Sequence, residues 1–381
     1  THILDMQLRR LTALEVDRLR EELTDVQVDI AQLKKLLSSD TKQRNTVRDE
    51  LRELVRDFSE ARRSKVTKAS DLVVIDDEAE EDLEENIEEM GDQPTLVTLS
   101  TSGLLGRRSL EEEFNVKPGR HDVVAKSLET TIFAGVSAVT DQGRVLTVRA
   151  REVPEMVRGS RGASVTEMFS LGRGEKVVGL FGEATDPIML VTRKGVAKRI
   201  DSDALKRLRS GSSAINLKGD DRVSAAFAAS EDCDVVMVAS DGQALRTPAK
   251  GISIQGPGAG GVVGMKLKPG ASLLAAGIVE FGSAVVIVSD EGAIKATDVA
   301  EIPSKGRATG GVRTVKWRDF ETTAAFAWVG RSQHLAAVVA DPLDEKKTES
   351  TPMPLSLELT RRDGLTASQE SRVLLVGEYA L

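Results

Sequence analysis

Residues that usually carry covalent or metal chemistry are scarce in this chain. Its 381 residues include one cysteine, three histidines and one tyrosine. A single cysteine, Cys233, excludes an internal disulfide framework and a metal site built from several thiolates. Because Cys233 lies in an apolar run, we expect its thiol to be buried and unreactive. The histidines are too scattered to predict a metal site or a catalytic triad.

Long apolar runs and catalytic motifs are also missing. No stretch approaches the ~18 apolar residues that a membrane helix needs, and the first residues lack the pattern of a signal peptide. We therefore expect a cytoplasmic protein. The sequence contains no HExxH, no GxSxG and no phosphate-binding loop, and GRGEKVVG around Gly172 is typical of a turn. Since the chain starts at Thr1 within a predicted helix, we expect it to be part of a longer protein.

Acidic residues are concentrated in one segment of a chain whose formal net charge is −8. Residues 71–94 contain 12 acidic and no basic residues, whereas residues 95–381 contain 37 basic and 35 acidic residues. An acidic block of this kind cannot bury enough apolar surface to fold alone, so we predict a disordered linker over residues 69–94. Two roles are open for it: a plain tether, or an acidic competitor for a basic surface elsewhere in the protein.

Residues 1–68 are predicted to be α-helical, with two apolar stripes separated by a break at Ser38, Ser39 and Asp40. Spacings of three and four residues favour a coiled-coil seam, and the alternative is a plain helical bundle. The second helix is too short to cover the first, so we expect a partner helix upstream of Thr1. The stripes consist of Val16, Leu19, Leu23, Val26, Ile30, Leu33 and Leu37, and of Val47, Leu51, Leu54 and Phe58.

From Thr95 onward, short β-branched runs alternate with glycine-containing turns. The runs LVTLS, IFAGVSAVT, IMLVT, DVVMVAS and AVVIVSD predict strands, and the glycine after each run predicts a tight hairpin with positive φ. The gaps between these glycines are 40, 52, 47 and 50 residues. A period of this size indicates a propeller-like or solenoid architecture. The hairpin glycines are Gly103, Gly143, Gly195, Gly242 and Gly292.

A second signature recurs in phase with the hairpins. RGSRGASVTEMFSL, RSGSSAINL, GAGGVVGMKL and ATGGVRTVKW align at gaps of 51, 48 and 50 residues. Each unit is thus predicted to hold a hairpin, a glycine-rich crossing and another strand pair, which is the content of one propeller blade. The hairpins give five units, and residues 334–381 form a degenerate sixth. We therefore predict a mainly β, six-bladed, propeller-like domain over residues 95–381.

Basic residues recur at similar places in these units, so we expect them to line one rim. A curved basic rim suits the phosphates of duplex DNA, where affinity comes from counterion release. Single-strand binding fits less well, because aromatic residues make up only 3% of the chain. The predicted DNA-binding residues are Arg107, Arg108, Arg144, Arg149, Arg158, Arg161, Lys198, Arg199, Arg209, Arg246, Lys295, Lys305, Arg307 and Arg313.

Two other functions are open at this point. A free-standing architectural DNA-binding protein would use the same basic rim without an enzyme attached. A protein-binding propeller with no role on nucleic acid would instead have an acidic or apolar rim.

Three parts of the chain resemble bacterial type IIA topoisomerase A subunits. ILDMQLRRLTALE, residues 3–15, resembles the helix at their dimer-forming exit gate. The helices that follow, ending in FSEARRSKVT, resemble their returning coiled-coil helix and its short successor. The repeats from Thr95 resemble their C-terminal β-pinwheel, a six-bladed disc that bends DNA around its rim.

The resemblance implies an enzyme that passes one DNA duplex through a double-strand break in another. It implies an A-subunit homodimer formed through the exit gate, and a partner B subunit that uses ATP and Mg²⁺, giving an A2B2 complex on the nucleoid. No cofactor is expected in this chain. The nucleophilic tyrosine of such proteins lies upstream of the gate helix, so we expect this chain to be unable to cleave DNA alone.

The first repeat bears on which type IIA enzyme the chain resembles. Gyrase A subunits carry a box close to QRRGGKG after the first hairpin, whereas the corresponding stretch here is LEEEFNVKPGRHDVVAKS. It contains Glu111, Glu112 and Glu113, and only Lys117, Gly119 and Arg120 echo the box. RGSRGAS at 158–164 matches the weaker version found in the next blade. This departure favours a topoisomerase IV-like decatenase, with a divergent gyrase as the alternative.

Overall fold

A computed structural model of the protein describes residues 13–58, 91–110, 120–156, 162–183, 186–331 and 335–378. Contacts divide the chain into a helical unit that ends at Asp76 and a β unit that begins at Asp77. That division falls within the predicted linker 69–94, most of which lies outside the described residues, so the domain boundaries stay predictions. Most of the predicted exit-gate helix 3–15 also lies outside them.

The described part of the helical unit contains two helices, α1 (Ala13–Leu37) and α2 (Asp40–Phe58). The predicted break between them is confirmed at Ser38 and Ser39. Both apolar stripes are exposed apart from Val16, which is half-buried: from Leu19 onward the exposed fractions in the α1 stripe range from 46% at Ile30 to 76% at Leu37. The two helices therefore do not cover each other's apolar side chains. In the described part of the chain, no helix is long and apolar enough to cross a membrane.

The described part of the β unit is built from short antiparallel strands. The strands are β1 (Pro94–Ser100), β2 (Leu104–Ser109), β3 (Val124–Thr131), β4 (Gly135–Thr140), β5 (Val145–Arg149), β6 (Ala163–Ser164), β7 (Val177–Phe181), β8 (Ile188–Thr192), β9 (Val196–Ile200), β10 (Val223–Ala228), β11 (Asp234–Ala239), β12 (Gln243–Pro248), β13 (Val262–Val263), β14 (Leu273–Ile278), β15 (Ser283–Ser289), β16 (Ile294–Asp298), β17 (Val312–Arg313), β18 (Ala324–Arg331), β19 (Leu335–Asp341), β20 (Asp344–Thr348), β21 (Met353–Leu355) and β22 (Val373–Glu378). Short α-helices, α3 (Val165–Phe169) and α4 (Ser202–Lys206), and 3-10 helices at Ala150–Glu152, Ala249–Gly251 and Val299–Glu301 lie between strands.

The predicted hairpins are confirmed. β1–β2, β4–β5, β8–β9, β11–β12 and β15–β16 pair as antiparallel neighbours. The five turn glycines all have a positive φ, between 76° at Gly242 and 81° at Gly103. At Gly242 a Cβ atom would also lie only 2.4 Å from Val315 Cγ1. Glycine is therefore required there by both the backbone conformation and the space.

The strand that follows each crossing belongs to the preceding sheet, which corrects the predicted strand pair. β13 pairs with β9 and β17 pairs with β12, whereas β14 pairs with β11. The second signature thus forms an edge strand on a neighbouring hairpin. Its glycines permit that close approach: a Cβ atom at Gly261 would lie 2.8 Å from Ala197 O, and one at Gly311 would lie 2.3 Å from Ala244 O.

The innermost strands of the sheets contact one another in a ring. β3, β7, β10, β14, β18 and β22 make contacts in that order, and β22 also contacts β3. A single residue pair, Glu378 with Val124, joins β22 to β3 within an eight-stranded sheet. Apolar side chains fill the space between neighbouring sheets, as where Met189 and Met237 share one buried cluster. Because the inner strands form the ring, the opposite edge of each sheet faces outward.

Candidate nucleic-acid interface

Segments that connect a hairpin to an edge strand run along the outside of the β unit. In the sheet ordered β10-β8-β9-β13, the inner strand is β10 and the edge strand is β13. The segment that leads to β13 starts at β12, which is the third strand of the next sheet. Both ends of this segment therefore lie in the outer half of the two sheets. We call these segments the crossings, and the crossings with their edge strands the outer rim. The crossings comprise the first (150–162, described except for 157–161), second (201–212), third (249–261), fourth (299–311) and fifth (356–366).

Arginines on the third strands hold the starts of the crossings. Arg107 and Arg199 each lie four residues after a hairpin glycine. Arg107 Nε donates to Val153 O at 3.0 Å, and its Nη2 lies 3.1 Å from a carboxylate oxygen of Glu155. Arg199 Nε donates to Ile252 O at 2.7 Å, and its side chain is 3% exposed. Both side chains therefore fix a crossing to the sheet.

Lys198 lies beneath the third crossing and is fully buried. Its Nζ donates to the carbonyl oxygens of Ala214 and Gly256, both at 2.7 Å. The same Nζ also donates to Pro257 O at 3.1 Å and to Ala259 O at 3.0 Å. Burial alone lowers the pKa of this ammonium from 10.5 to about 8, so it still carries a proton at neutral pH.

Lys295 has a similar place under the fifth crossing. Its Nζ donates to Thr297 Oγ1 at 2.6 Å and to Arg361 O at 2.8 Å, and the residue is 3% exposed. Burial lowers its pKa to about 8, against a smaller opposing effect of Asp363. The ammonium therefore fixes the backbone turn that carries Arg361.

Two further arginines of the hairpins are engaged in ion pairs. Arg144 donates through Nε to Glu175 Oε1 at 2.9 Å, and this interaction holds the pKa of Glu175 down to about 2. Arg246 Nε lies 2.7 Å from Asp234 Oδ2, across the β11–β12 hairpin. Both arginines are half-buried, and Arg108 on β2 is half-buried as well.

The structure therefore corrects the predicted positions of several bases. Lys198, Arg199 and Lys295 were expected on an exposed rim, but they lie inside the β unit. The physical reason is that the third strand is central in its sheet: it has the second strand on one side and the edge strand or crossing on the other. Side chains of that strand meet backbone carbonyls of the crossings, which only buried donors can satisfy.

Other predicted bases are exposed, and all of these except Arg149, at the end of β5, lie on the outer rim. Lys305 and Arg307 belong to the fourth crossing, where Arg307 Nη1 lies 3.3 Å from Val263 O at the end of β13. Within the described part of the chain, none of these exposed bases forms an ion pair within 4.0 Å. Arg158 and Arg161 lie outside the described residues. The exposed predicted bases are Arg149, Arg209, Lys305, Arg307 and Arg313.

Sequence reasoning missed further bases of the crossings. Lys206 and Arg207 in the second crossing, Lys250 in the third and Arg361 in the fifth are all exposed. Their common signal is a position between a third strand and an edge strand. That signal could be used only once the edge strand had been assigned to the preceding sheet. Positions counted from the hairpin glycine selected the buried third-strand bases instead.

Charge is sorted along the crossings. Asp203 precedes Lys206 in the second crossing, and Glu301 precedes Lys305 in the fourth. Acidic residues thus occupy the starts of these segments, and basic residues occupy the part that approaches the edge strand. Although residues 95–381 carry nearly equal numbers of both signs, this order places positive charge on the parts of the second and fourth crossings that lie next to the edge strands.

Comparisons with known proteins identify relatives of these repeats. Residues 136–181, 186–230, 234–280 and 284–320 match a family model described as the DNA gyrase C-terminal domain, beta-propeller. The chain is 30% identical over 332 residues to the DNA gyrase A subunit of Mycobacterium bovis (strain BCG / Pasteur 1173P2), covering 83% of this chain and 38% of that protein. It is 28% identical over 353 residues to the DNA gyrase A subunit of Aminobacterium colombiense, covering 89% of this chain and 42% of that protein. The chain thus spans about two fifths of the length of these relatives.

Two solved structures share the fold. The C-terminal domain of DNA topoisomerase IV matches with a TM-score of 0.63 and 21% identity, covering 75% of this chain and 93% of that chain. The DNA gyrase A C-terminal domain matches with a TM-score of 0.55 and 19% identity, covering 76% of this chain and 100% of that chain. At these identities the likeness concerns the mainly β fold with curled sheets.

Proposed function

This chain belongs to the family of type IIA topoisomerase A subunits, and we propose that its β unit binds and bends duplex DNA along the outer rim. The observation that carries this proposal is the presence, in several of the described crossings, of exposed cations that form no ion pair, including Arg209 in the second crossing and Arg307 in the fourth. Cations spaced along a curved surface neutralise successive phosphates and favour a bent duplex. The rim would thereby present a duplex for strand passage.

We further propose that the β unit is a six-bladed pinwheel. The eight-stranded sheet divides at the β22–β3 contact into a first blade, β3-β1-β2-β6, and a last blade, β19 to β22. The four remaining sheets supply the other blades. The exposed stripe on α1 fits a coiled-coil partner helix from an upstream part of the same polypeptide.

In the complete enzyme, this chain would act as part of an A-subunit homodimer that joins two B subunits on the chromosome in the cytoplasm. ATP and Mg²⁺ would act through the B subunit, and the DNA-cleaving tyrosine would lie upstream of Thr1. The proposed contribution of this chain is to hold and bend DNA, for which exposed cations are sufficient.

A topoisomerase IV-like role, relaxation and decatenation, is proposed for the complete enzyme. Its support is the sequence of the first repeat, where Glu111, Glu112 and Glu113 replace the basic box; these residues lie outside the described part of the chain. Negative supercoiling by a gyrase is the second candidate, favoured by the names of the curated relatives. The linking-number change on relaxed plasmid, measured with full subunits, separates the two: strong positive wrapping indicates a gyrase.

DNA binding itself is tested by titrating the chain with a short duplex of mixed sequence at several salt concentrations. We expect little sequence preference and a steep linear fall of log K with log salt concentration, with a slope of about −0.9 for each phosphate neutralised. A flat salt response would contradict the proposal. Preference for single-stranded DNA would contradict the duplex specificity.

A further inference from the structure

The third crossing carries few bases although its neighbours are basic. Its sequence from Gln255 to Gly261 is QGPGAGG, and Lys250 at its start is its one basic residue. The second crossing on one side has Arg209, and the fourth on the other side has Arg307, which contacts Val263 O. A DNA backbone that follows the outer rim between these two arginines would therefore pass over a neutral segment.

The buried ammonium of Lys198 orients the backbone of this segment. The described peptide bonds are all trans, so the C=O and N–H of one peptide unit point in opposite directions. Pro257 O and Ala259 O both point at Lys198 Nζ. The N–H groups of Gly258 and Gly260 therefore point away from the ammonium, toward the outside of the β unit.

Neither packing nor backbone conformation explains two of the glycines here. At Gly256 and Gly258 a Cβ atom would meet nothing within 4 Å, and neither residue has a positive φ. Gly261 differs, because its φ is +84° and its Cβ would clash with the sheet. A glycine with open space in front of it leaves its backbone accessible, as where a chain must approach a ligand closely.

The exposed backbone of Gly258 lines an open groove with polar side chains. Gln142, from the β4–β5 turn, and Ser213 and Asn216, which follow the second crossing, lie on its walls. Carboxamides and backbone N–H groups are hydrogen-bond donors, and no carboxylate is present among the described residues that line the groove. The groove thus offers neutral donors above a buried positive charge.

We propose that this groove binds a phosphate group of the duplex DNA backbone through the Gly258 N–H and the carboxamides of Gln142 and Asn216. Lys198 acts as a positioning residue: it turns the backbone donors outward and adds positive potential without touching DNA. Backbone N–H groups and neutral side chains are common phosphate donors in protein–DNA interfaces. The site rests on the proposed DNA-binding function and adds a contact that the cations alone do not supply.

A pair of glycine substitutions in the same crossing tests the site. Gly258→Asp places a carboxylate in the groove, and Gly251→Asp places the same charge at the other end of the crossing, where a Cβ atom also meets nothing within 4 Å. Both variants should keep the thermal stability of the unaltered chain. We expect Gly258→Asp to weaken duplex binding by about tenfold more than Gly251→Asp. Equal losses for the two variants would overturn the groove site.

The salt dependence of duplex binding distinguishes a neutral hydrogen-bond donor from a cation. Asn216→Ala should weaken binding about three- to tenfold and leave the slope of log K against log salt concentration unchanged, since it releases no counterion. Asn45→Ala, in α2, is the matched control and should have no effect. An unchanged affinity for Asn216→Ala would overturn the groove site alone. Failure of the unaltered chain to bind duplex DNA would overturn both the groove site and the proposed function.

Discussion

Arg144 and Glu175 form a two-point ion pair between the β4–β5 turn and the turn that precedes β7. Arg144 Nε lies 2.9 Å from Glu175 Oε1, and its Nη2 contacts Oε2. The Glu175 side chain is 1% exposed, and its Oε2 also accepts the N–H of Gly172 at 2.8 Å. The pair therefore fastens two turns of neighbouring strands, and it engages an arginine that its position after a hairpin glycine had predicted as a DNA contact.

Glu175→Gln should lower the free energy of unfolding by about 2 kcal/mol at pH 7, because a buried, charge-assisted acceptor is lost. The folded pKa of Glu175, about 2, lies below its ordinary value of 4.5. Its stabilisation is thus present above pH 4.5 and is lost as the pH falls toward 2. Urea unfolding should show the gap between the two proteins shrinking over that range. Glu231→Gln, at a largely exposed carboxylate, is the control with a smaller effect, and a pH-independent gap would contradict the assignment.

The buried lysines predict a second pH effect, in the alkaline range, where stability again rises with pH. The pKa of Lys198 is lowered from 10.5 to about 8, so the folded state releases this proton between pH 8 and 10.5 while the unfolded state keeps it. Stability relative to Lys198→Met should therefore rise with pH in that window, by up to about 1.4 kcal/mol per pH unit. Urea unfolding from pH 7.5 to 10 measures it.

A second buried lysine, Lys295, gives an independent test of this alkaline prediction. Lys295→Met should remove a similar pH dependence, since the pKa of Lys295 is also about 8. Lys250→Met, at an exposed position, should not alter it. If neither buried lysine changes the pH profile, the lowered pKa values are wrong.

Substitutions of two arginines in the same repeat should distinguish a residue that stabilises the fold from one that binds DNA. Arg199→Gln removes donors from Ile252 O and Glu231, so we expect a loss of roughly 2 kcal/mol in stability. Arg209→Gln changes the net charge equally but should leave the stability unchanged, because the side chain is exposed. In duplex titrations, Arg209→Gln should flatten the salt slope by about 0.9. The assignment fails if both variants lose stability alike.

Neighbouring bases of the fourth crossing should act additively on DNA. Lys305→Gln and Arg307→Gln should each weaken duplex binding, and the double variant should flatten the salt slope by about twice the single value. Lys42→Gln, on the exposed surface of α2, is the control with the same charge change. A double variant that binds as tightly as the unaltered chain would show that DNA follows a different surface.

The sequence predicted the hairpins well because their physical cause is local. A glycine with positive φ at Gly195 or Gly292 closes a two-strand turn regardless of the rest of the fold. The partner of the second signature is not local: β13 pairs with β9, which lies more than sixty residues earlier. Periodicity reveals that such a strand exists, but it does not reveal which sheet receives it. The strand pair predicted within each unit was therefore wrong.

The predicted DNA-binding residues fall into an exposed group and a buried group for a related reason. Arg209 and Arg307 were predicted as exposed bases and are exposed, since they lie in segments without a sheet on both sides. Lys198 lies three residues after its hairpin glycine, Gly195, and was predicted on the same rim, yet it meets four backbone carbonyls. Those carbonyls belong to residues 16 to 61 positions further along the chain, so the sequence near Lys198 holds no sign of them.

The strand after each crossing pairs with the preceding sheet, as β13 does with β9, so neighbouring sheets hold each other across the exposed crossings. A cut in the third crossing would leave β12 at the end of one piece and β13 near the start of the other. β13 would remain bound to β9 in the first piece, and β12 to β17 in the second. Separation of the pieces would require both sheets to open. The exposed crossings can thus be cleaved or lengthened while neighbouring repeats keep each other in place.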